Sequence, residues 1–409
     1  MEPSRSTSGR TASAVADVFW VALKLGLTSF GGPIAHLGYF ERTYVRQKQW
    51  LTLEELAGLI ALCQILPGPT SSQVGFLIGQ RRAGLAGACA AWAGFTAPSA
   101  LLMLACALWA PRLPVAPTAA ILQGLKWVAV MVVAQAVWQM ARALCPDWPR
   151  ATVALLGATW LLFARSAMTP LLILAAGAAI GACLARGRVA LPSSPAASPG
   201  ERRLARTGAV AFASFVALLG LLLLNLHFST THSLPVLIGL LYRTGSLVFG
   251  GGHVVLPLLR DALVPSGWLT DDQFLAGYGA AQALPGPLFA FSAYVGALVA
   301  PPGSAVAWAF IALTSLFVPG LLLSLAAVSV RGWLERHATA RAALAGVNAA
   351  VVGVLAAALI NPVSASAIHD LRDFGIVAVG FLALQRWHLA PIALVVLSVM
   401  VAMLMTALH

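Results

Sequence analysis

The sequence is poor in charge. Only 9% of its 409 residues are Asp, Glu, Lys or Arg, against about 25% in an ordinary soluble domain, which excludes a globular cytosolic protein. Acids are scarcest: 13 Asp and Glu face 25 Lys and Arg, a net charge of +12. Apart from Glu54-Glu55 and Asp271-Asp272 they are unclustered. That argues against an integral-membrane enzyme acting on lipid phosphates, which needs grouped carboxylates for metal or general-base work. It argues equally against a cation carrier. Cysteine is sparse and odd in number: Cys63, Cys89, Cys106, Cys145 and Cys183, with no Cys-x-x-Cys pair. Neither a disulfide framework nor a zinc site is indicated. No metal or other cofactor is expected. The polar stretch Met1 to Ala16 is not followed by a short apolar core with an Ala-x-Ala site. The expectation is an uncleaved first helix that acts as its own anchor.

What is abundant is apolar. Hydrophobic residues make up 60% of the chain and mean hydropathy is +0.87. They come in blocks of about 18–25, the length at which a helix crosses a bilayer. Strands of a membrane barrel alternate and run only about 10 residues. The fold class is therefore an all-α polytopic membrane protein whose partner is the lipid bilayer. A soluble chain this basic would suggest nucleic acid; here most bases sit in short loops, where they signal topology, and no nucleic-acid partner is expected.

The chain repeats itself. Phe30-Gly31-Gly32-Pro33 has a counterpart in Phe249-Gly250-Gly251-Gly252, Trp50-Leu51-Thr52 in Trp268-Leu269-Thr270, and Gln64-Ile65-Leu66-Pro67-Gly68-Pro69 in Gln282-Ala283-Leu284-Pro285-Gly286-Pro287. The offsets are 219, 218 and 218, and Pro98 matches Pro319 at 221. Ordered landmarks at a near-constant offset mark a tandem duplication. The organisation read from this is a cytoplasmic tail (1–14), a first repeat (15–185), a flexible basic linker rich in Pro, Ser and Arg (186–206), a linking helix (207–227) and a second repeat (235–408).

Each repeat holds about six apolar segments. The second, 53–80, would span about 42 Å as one helix, but Pro67-Gly68-Pro69 sits at its middle and must break it. It is either a discontinuous spanning helix or a re-entrant pair. If it spans, the chain crosses 13 times. Of the 22 Lys and Arg outside the spans, 16 then fall on the cytoplasmic side and six outside. The best re-entrant alternative gives 14 against eight. Positive-inside bias favours the spanning reading, although Arg42, Arg46 and Lys48 then fall outside. The repeats are then inverted, a transporter architecture.

Ionisable residues inside the membrane are costly and mark function. Lys24, Lys126 and Arg243 stand out. Lys24 and Arg243 each lie six residues before a Gly-rich motif, and are read as facing a central cavity. Snorkelling is the plainer reading of Lys126, whose repeat partner is Asn348. Cations without embedded acids suit an anion. After each Pro-Gly-Pro a helix restarts, as Thr70-Ser71-Ser72-Gln73 and as Leu288-Phe289-Ala290-Phe291-Ser292, and its free N–H groups form an anion site. The hydroxyls make the first half the stronger contributor. Gln64 and Gln282 are polar groups at midplane depth, or helix–helix hydrogen-bonding groups. Gly31, Gly32, Gly250 and Gly251 permit close approach or a second break. His36 and His253 are candidates for carrying a proton, as are Glu54, Glu55 and Asp272, whose plainer role is complementing helix dipoles.

The doubled Phe-Gly-Gly-Pro, Trp-Leu-Thr and Gln-x-Leu-Pro-Gly-Pro pattern resembles the chromate ion transporter family in its long, two-domain form, over about 15–408. The matching positions are Phe30, Gly31, Gly32, Pro33, Gln64, Pro67, Gly68, Pro69, Gly250, Gly251, Pro285, Gly286 and Pro287, with Gly252 where the second motif departs from Pro. The resemblance implies a bacterial inner-membrane protein that exports chromate, driven by the proton motive force. A sulfate or other tetrahedral oxyanion carrier, and a passive anion channel, stay open beside it. So does the oligomeric state, a homodimer included.

Overall fold

The computed structural model describes residues 7–30, 32–64, 66–109, 115–164, 169–184, 199–229, 232–248, 255–365, 367–387, 389 and 391–407. Among these the secondary structure is helical, with no strand. The first half holds α1 (Thr7–Thr28), α2 (Gly32–Phe40, continued by a π-helical turn to Gln47), α3 (Leu53–Gln64), α4 (Thr70–Trp109), α5 (Val115–Leu144), α6 (Trp148–Phe163) and α7 (Thr169–Leu184). A linking helix, α8, runs Pro199–Phe228. The second half repeats the order as α9 (Leu234–Gly245), α10 (Val255–Leu263), α11 (Asp271–Ala283), a 3-10 turn at Leu288–Ala290 leading into α12 (Phe291–Leu298), α13 (Ala305–Arg336), α14 (Ala338–Ala358, continued by a π-helical turn to Ser364), α15 (Leu371–Arg386) and α16 (Pro391–Ala407). Two expected boundaries shift. The tail is helical from Thr7, and α8 begins at Pro199 within the stretch read as a linker to 206.

Local chemistry is duplicated too. Thr52 and Glu55 exchange side-chain and backbone hydrogen bonds at the start of α3, at 2.8 and 3.2 Å, and Thr270 and Gln273 do the same at the start of α11, at 3.0 and 3.2 Å. These reciprocal caps satisfy N–H groups that helix geometry leaves open. Asp147 caps α6, and Asp370 caps α15.

The segments broken by Pro-Gly-Pro do not span. The carboxylate of Glu55, at the start of α3, lies 3.4 Å from Arg81, and the guanidinium of Arg82 lies over the Trp50 ring at 5.5 Å. Residues 70–82 of α4 therefore run back alongside α3, and the tip of this hairpin is Pro67-Gly68-Pro69. In the second half the Tyr294 hydroxyl, on α12, donates to the Gln273 carbonyl, on α11, at 3.0 Å. This corrects the expectation of 13 crossings. Loop charge decides only which face a segment end occupies; the contacts of Arg81 and Arg82 put both ends on one face. The first helices are paired likewise. Lys48, beyond the π turn, bridges back to Asp17 of α1 at 3.1 Å, and the His232 ring, before α9, stacks on Trp268, after α10, at 4.6 Å. Beyond the first hairpins the chain reverses sharply at Ala83 (φ −144°) and Gly84 (φ +65°), so that Gly79 and Gly87 meet face to face.

The rest of each half leans on the other half. Helix α5 packs on α15 and α16, and α14 on α6 and α7. Small residues permit the approach: Gly177 and Gly181 against Gly346 and Ala342, Gly353 against Ala154, and Gly124 against Ser398 and Val399. In a membrane such residues let dispersion act between backbones. Among the described residues, five helical stretches are long and apolar enough to cross a bilayer: Thr70–Trp109, Ala120–Leu144, Arg206–Phe228, Ala305–Ser329 and Ala338–Asn361.

Candidate functional site

Each hairpin tip is held by the opposite half. The backbone N–H of Gly68 donates to the carbonyl of Val248 at 2.6 Å, and that of Gly286 donates to the carbonyl of Ser29 at 2.9 Å. Val248 and Ser29 are repeat equivalents, each just before a Gly-rich motif. Both glycines need their freedom, Gly68 at φ +123° and Gly286 at φ +93°. Each also lies against the proline kink of the opposite half. A Cβ on Gly68 would come 2.9 Å from the Cα of Gly320, next to Pro319 in α13. One on Gly286 would come 2.9 Å from the Oγ of Ser99, next to Pro98 in α4.

Gln73 ties this crossing together. Its side-chain N–H groups donate to the carbonyls of Pro67 at 2.8 Å and Gly320 at 2.9 Å, so one fully buried amide holds the first loop to α13. Around it lies a belt of buried hydroxyls: Ser29, Thr70, Ser71, Ser72, Thr96 and Ser99. His36 sits in the same belt, its Nδ1 3.1 Å from the Ser71 Oγ and its ring edge-on to Phe95. The hydroxyls of Ser29, Ser72 and Thr96 and the Oε1 of Gln73 are buried without a partner among the described residues. Buried polar atoms are normally satisfied. The orphaned Ser72 hydroxyl lies in the first turn of α4 beside those of Thr70 and Ser71, where helix geometry leaves the first N–H groups open, and together they form a neutral, donor-rich nest suited to an oxyanion.

The other candidates are placed as follows. Pro67, Pro69, Pro285 and Pro287 are buried at the crossing. Gly32 takes φ +77° at the start of α2. The second restart offers an apolar wall, and the hydroxyl of Ser292 is used by the Phe289 carbonyl. Lys24 is exposed and shares its face of α1 with the exposed Trp20 and Leu27, whereas the buried stripe is Val18, Val21, Ala22 and Leu25. Arg243 is half-buried on α9. Lys126 is bound to Asp272 at 2.6 Å, so its charge is already met. Gln64 is exposed at the end of α3, and Gln282 is half-buried on α11. Glu54 and Glu55 are exposed, Glu55 as cap and partner of Arg81. Gly31, Gly250, Gly251, Gly252 and His253 lie outside the described residues. No group of three or more metal-ligating side chains occurs among the described residues.

Sequence reasoning overlooked Thr96, Ser99 and Ser29, ordinary residues made notable only by the tertiary crossing. It also overlooked Asp373, the buried acid among those described. Asp373 accepts from the Trp127 indole at 3.0 Å and from the His369 backbone at 2.8 Å, a structural lock between α5 and α15.

An all-helical membrane protein with duplicated halves, broken helices and a buried polar crossing belongs to the class of membrane transporters. The comparisons make the class specific. The family described as Chromate transporter matches twice, over residues 16–182 and 235–404, and the chain belongs to that family, a transport family and not an enzymatic one. The chain is 28% identical to the chromate transport protein of Pseudomonas aeruginosa over 401 residues, covering 94% of this chain and 92% of that one. It is 29% identical to a probable chromate transport protein of Synechococcus elongatus, over 90% and 88% of the two chains. It is 28% identical to the chromate transport protein of Cupriavidus metallidurans, over 83% and 80%. No solved structure matches the chain.

Proposed function

We propose that this chain exports chromate from the bacterial cytoplasm across the inner membrane, driven by the proton motive force, and so confers chromate resistance. The observation that carries the reading is the hydroxyl-lined restart at Thr70-Ser71-Ser72, held against the opposite half by Gly68 and Gln73. Chromate is a tetrahedral dianion, and such a nest offers several neutral donors at once. Lys24 and Arg243 then act as long-range attraction. His36, hydrogen-bonded to Ser71, is the proton-carrying candidate nearest the nest.

Topology orients the two faces. The paired hairpins return to the face they start from. Counting the remaining long segments as passes (the second arm of α4, then α5 to α8 and α13 to α16) gives nine crossings, and the odd number before α9 inverts the second half. Of the seventeen Lys and Arg near helix ends among the described residues, fifteen then lie on the face of the α1 N-terminus, and two, Arg260 and Arg372, on the other. That face is cytoplasmic by the positive-inside rule, and Arg42, Arg46 and Lys48 now obey it. The halves are also in unequal states. Helix α11 packs on α5 and is pinned by Lys126 to Asp272, while its counterpart α3 has no comparable packing on α14 among the described residues. The equivalent pair there is Asn348 and Glu54, with the Asn348 Oδ1 buried and without a partner among the described residues. The cytoplasmic side is the looser one, and exchange of the two packings gives alternating access.

Everted vesicles energised with a respiratory substrate test the reading. Saturable, protein-dependent chromate accumulation that a protonophore collapses is expected. Chromate movement insensitive to the protonophore would overturn the coupling, and none at all would overturn the export.

A further inference from the structure

The crossing uses Pro-Gly-Pro but leaves Trp50-Leu51-Thr52 without a role beyond the Thr52 cap. Trp50 lines a small cavity of about 130 Å³ with Leu51, Ile78, Arg81 and Arg82. Arg82 lies over its ring at 5.5 Å and Lys48 at 5.8 Å, and Tyr44 stacks beneath it at 5.4 Å. Lys48 is already paired with Asp17 at 3.1 Å, so the cations left to the cavity are Arg81 and Arg82, and Arg82 gains from the ring quadrupole. For the two arginines the acid at hand is Glu55, 3.4 Å from Arg81, too far for a good charge-assisted hydrogen bond. The cavity is well below the ~300 Å³ of an organic-ligand pocket, so its occupant is a small ion or one headgroup. It also caps the C-terminal end of residues 70–82, whose other end is the nest at Thr70. Positive-inside signalling explains arginines on this face; it does not explain two of them lining one cavity with a tryptophan. The second half lacks the feature: Arg81 and Arg82 are replaced by Val299, Ala300 or Pro301, and Trp268 is covered by His232.

We propose that Arg81, Arg82 and Trp50 form a binding site for a tetrahedral oxyanion at the mouth on the α1 N-terminal face. The anion is either the transported one, captured before it moves along the hairpin to Thr70, or the phosphate of an anionic lipid headgroup. The first source rests on the chromate-export reading; the site itself does not.

Two measurements test it. In purified protein, phenylglyoxal modification of Arg81 and Arg82, read by peptide mass spectrometry, should be slowed by sulfate and chromate and not by chloride of equal ionic strength. Absence of protection would overturn the site whether or not the protein transports. In everted vesicles, where this face is outward, Arg82→Ala should raise the chromate KM by about tenfold, the value of one lost charge-assisted contact, with kcat kept. Unchanged KM, with the wild-type rate rising with phosphatidylglycerol content in liposomes and Arg82→Ala abolishing that rise, assigns the site to lipid. A KM increase of the same size from Arg386→Ala, an arginine of the same face, would reduce the effect to diffuse surface charge and overturn the proposal.

Discussion

The amide of Gly68 reaches across the molecule to the carbonyl of Val248 at 2.6 Å. This bond links the tip of one broken helix to the end of the helix that opens the other half. Its repeat partner joins Gly286 to Ser29, so the centre of the protein is a pair of reciprocal backbone clasps around a kinked helix from each half.

Alanine at Gly68 should break one clasp. The left-handed φ costs about 1–3 kcal/mol for a residue with a Cβ, and the added carbon meets the Gly320 backbone. A lowered unfolding temperature in detergent and loss of chromate resistance are expected, with Gly286→Ala following the same pattern. Wild-type stability in Gly68→Ala would contradict the packing.

Ser72→Ala separates binding from folding. The hydroxyl is buried without a partner among the described residues, so its removal should leave membrane levels unchanged. Transport should show a KM raised by about tenfold, one hydrogen bond of about 1.4 kcal/mol. An unchanged KM would remove Ser72 from the site.

Lys126 and Asp272 should behave as a pair. Breaking a partly buried ion pair strands one charge, which costs more than removing both. Asp272→Asn alone, which strands the partly buried Lys126 ammonium while the acid is largely exposed, is expected to impair transport, and Lys126→Gln with Asp272→Asn to recover most of it. Failure of the double variant to recover would return Lys126 to the substrate path.

The hairpin topology predicts that cysteines placed at Thr52 and Arg81 react with an impermeant maleimide from the same face of the membrane, and one at Arg372 from the opposite face. A spanning segment would put Thr52 and Arg81 on opposite faces.

The helical class, the duplication and the break at Pro67-Gly68-Pro69 were legible because each rests on local composition or on order along the chain. Whether the break makes a hairpin or a bent crossing was not. That depends on Glu55 meeting Arg81 and Arg82 meeting Trp50, contacts between residues some thirty apart with no local signature. The same limit hid Thr96 and Ser99. A serine beside a proline kink is unremarkable until Gly286 of the other half lies against it. The cations drew notice for their cost in lipid, yet Lys126 is neutralised by Asp272, and the polar nest is built from uncharged residues.

The most direct test of the central claim is counterflow. Purified protein in liposomes loaded with unlabelled chromate should take up labelled external chromate transiently, at a rate that saturates and that sulfate inhibits only as a competitor. A flux that rises without saturation, or one no greater than in protein-free liposomes, would contradict a chromate carrier built around the Gly68 and Gly286 clasps.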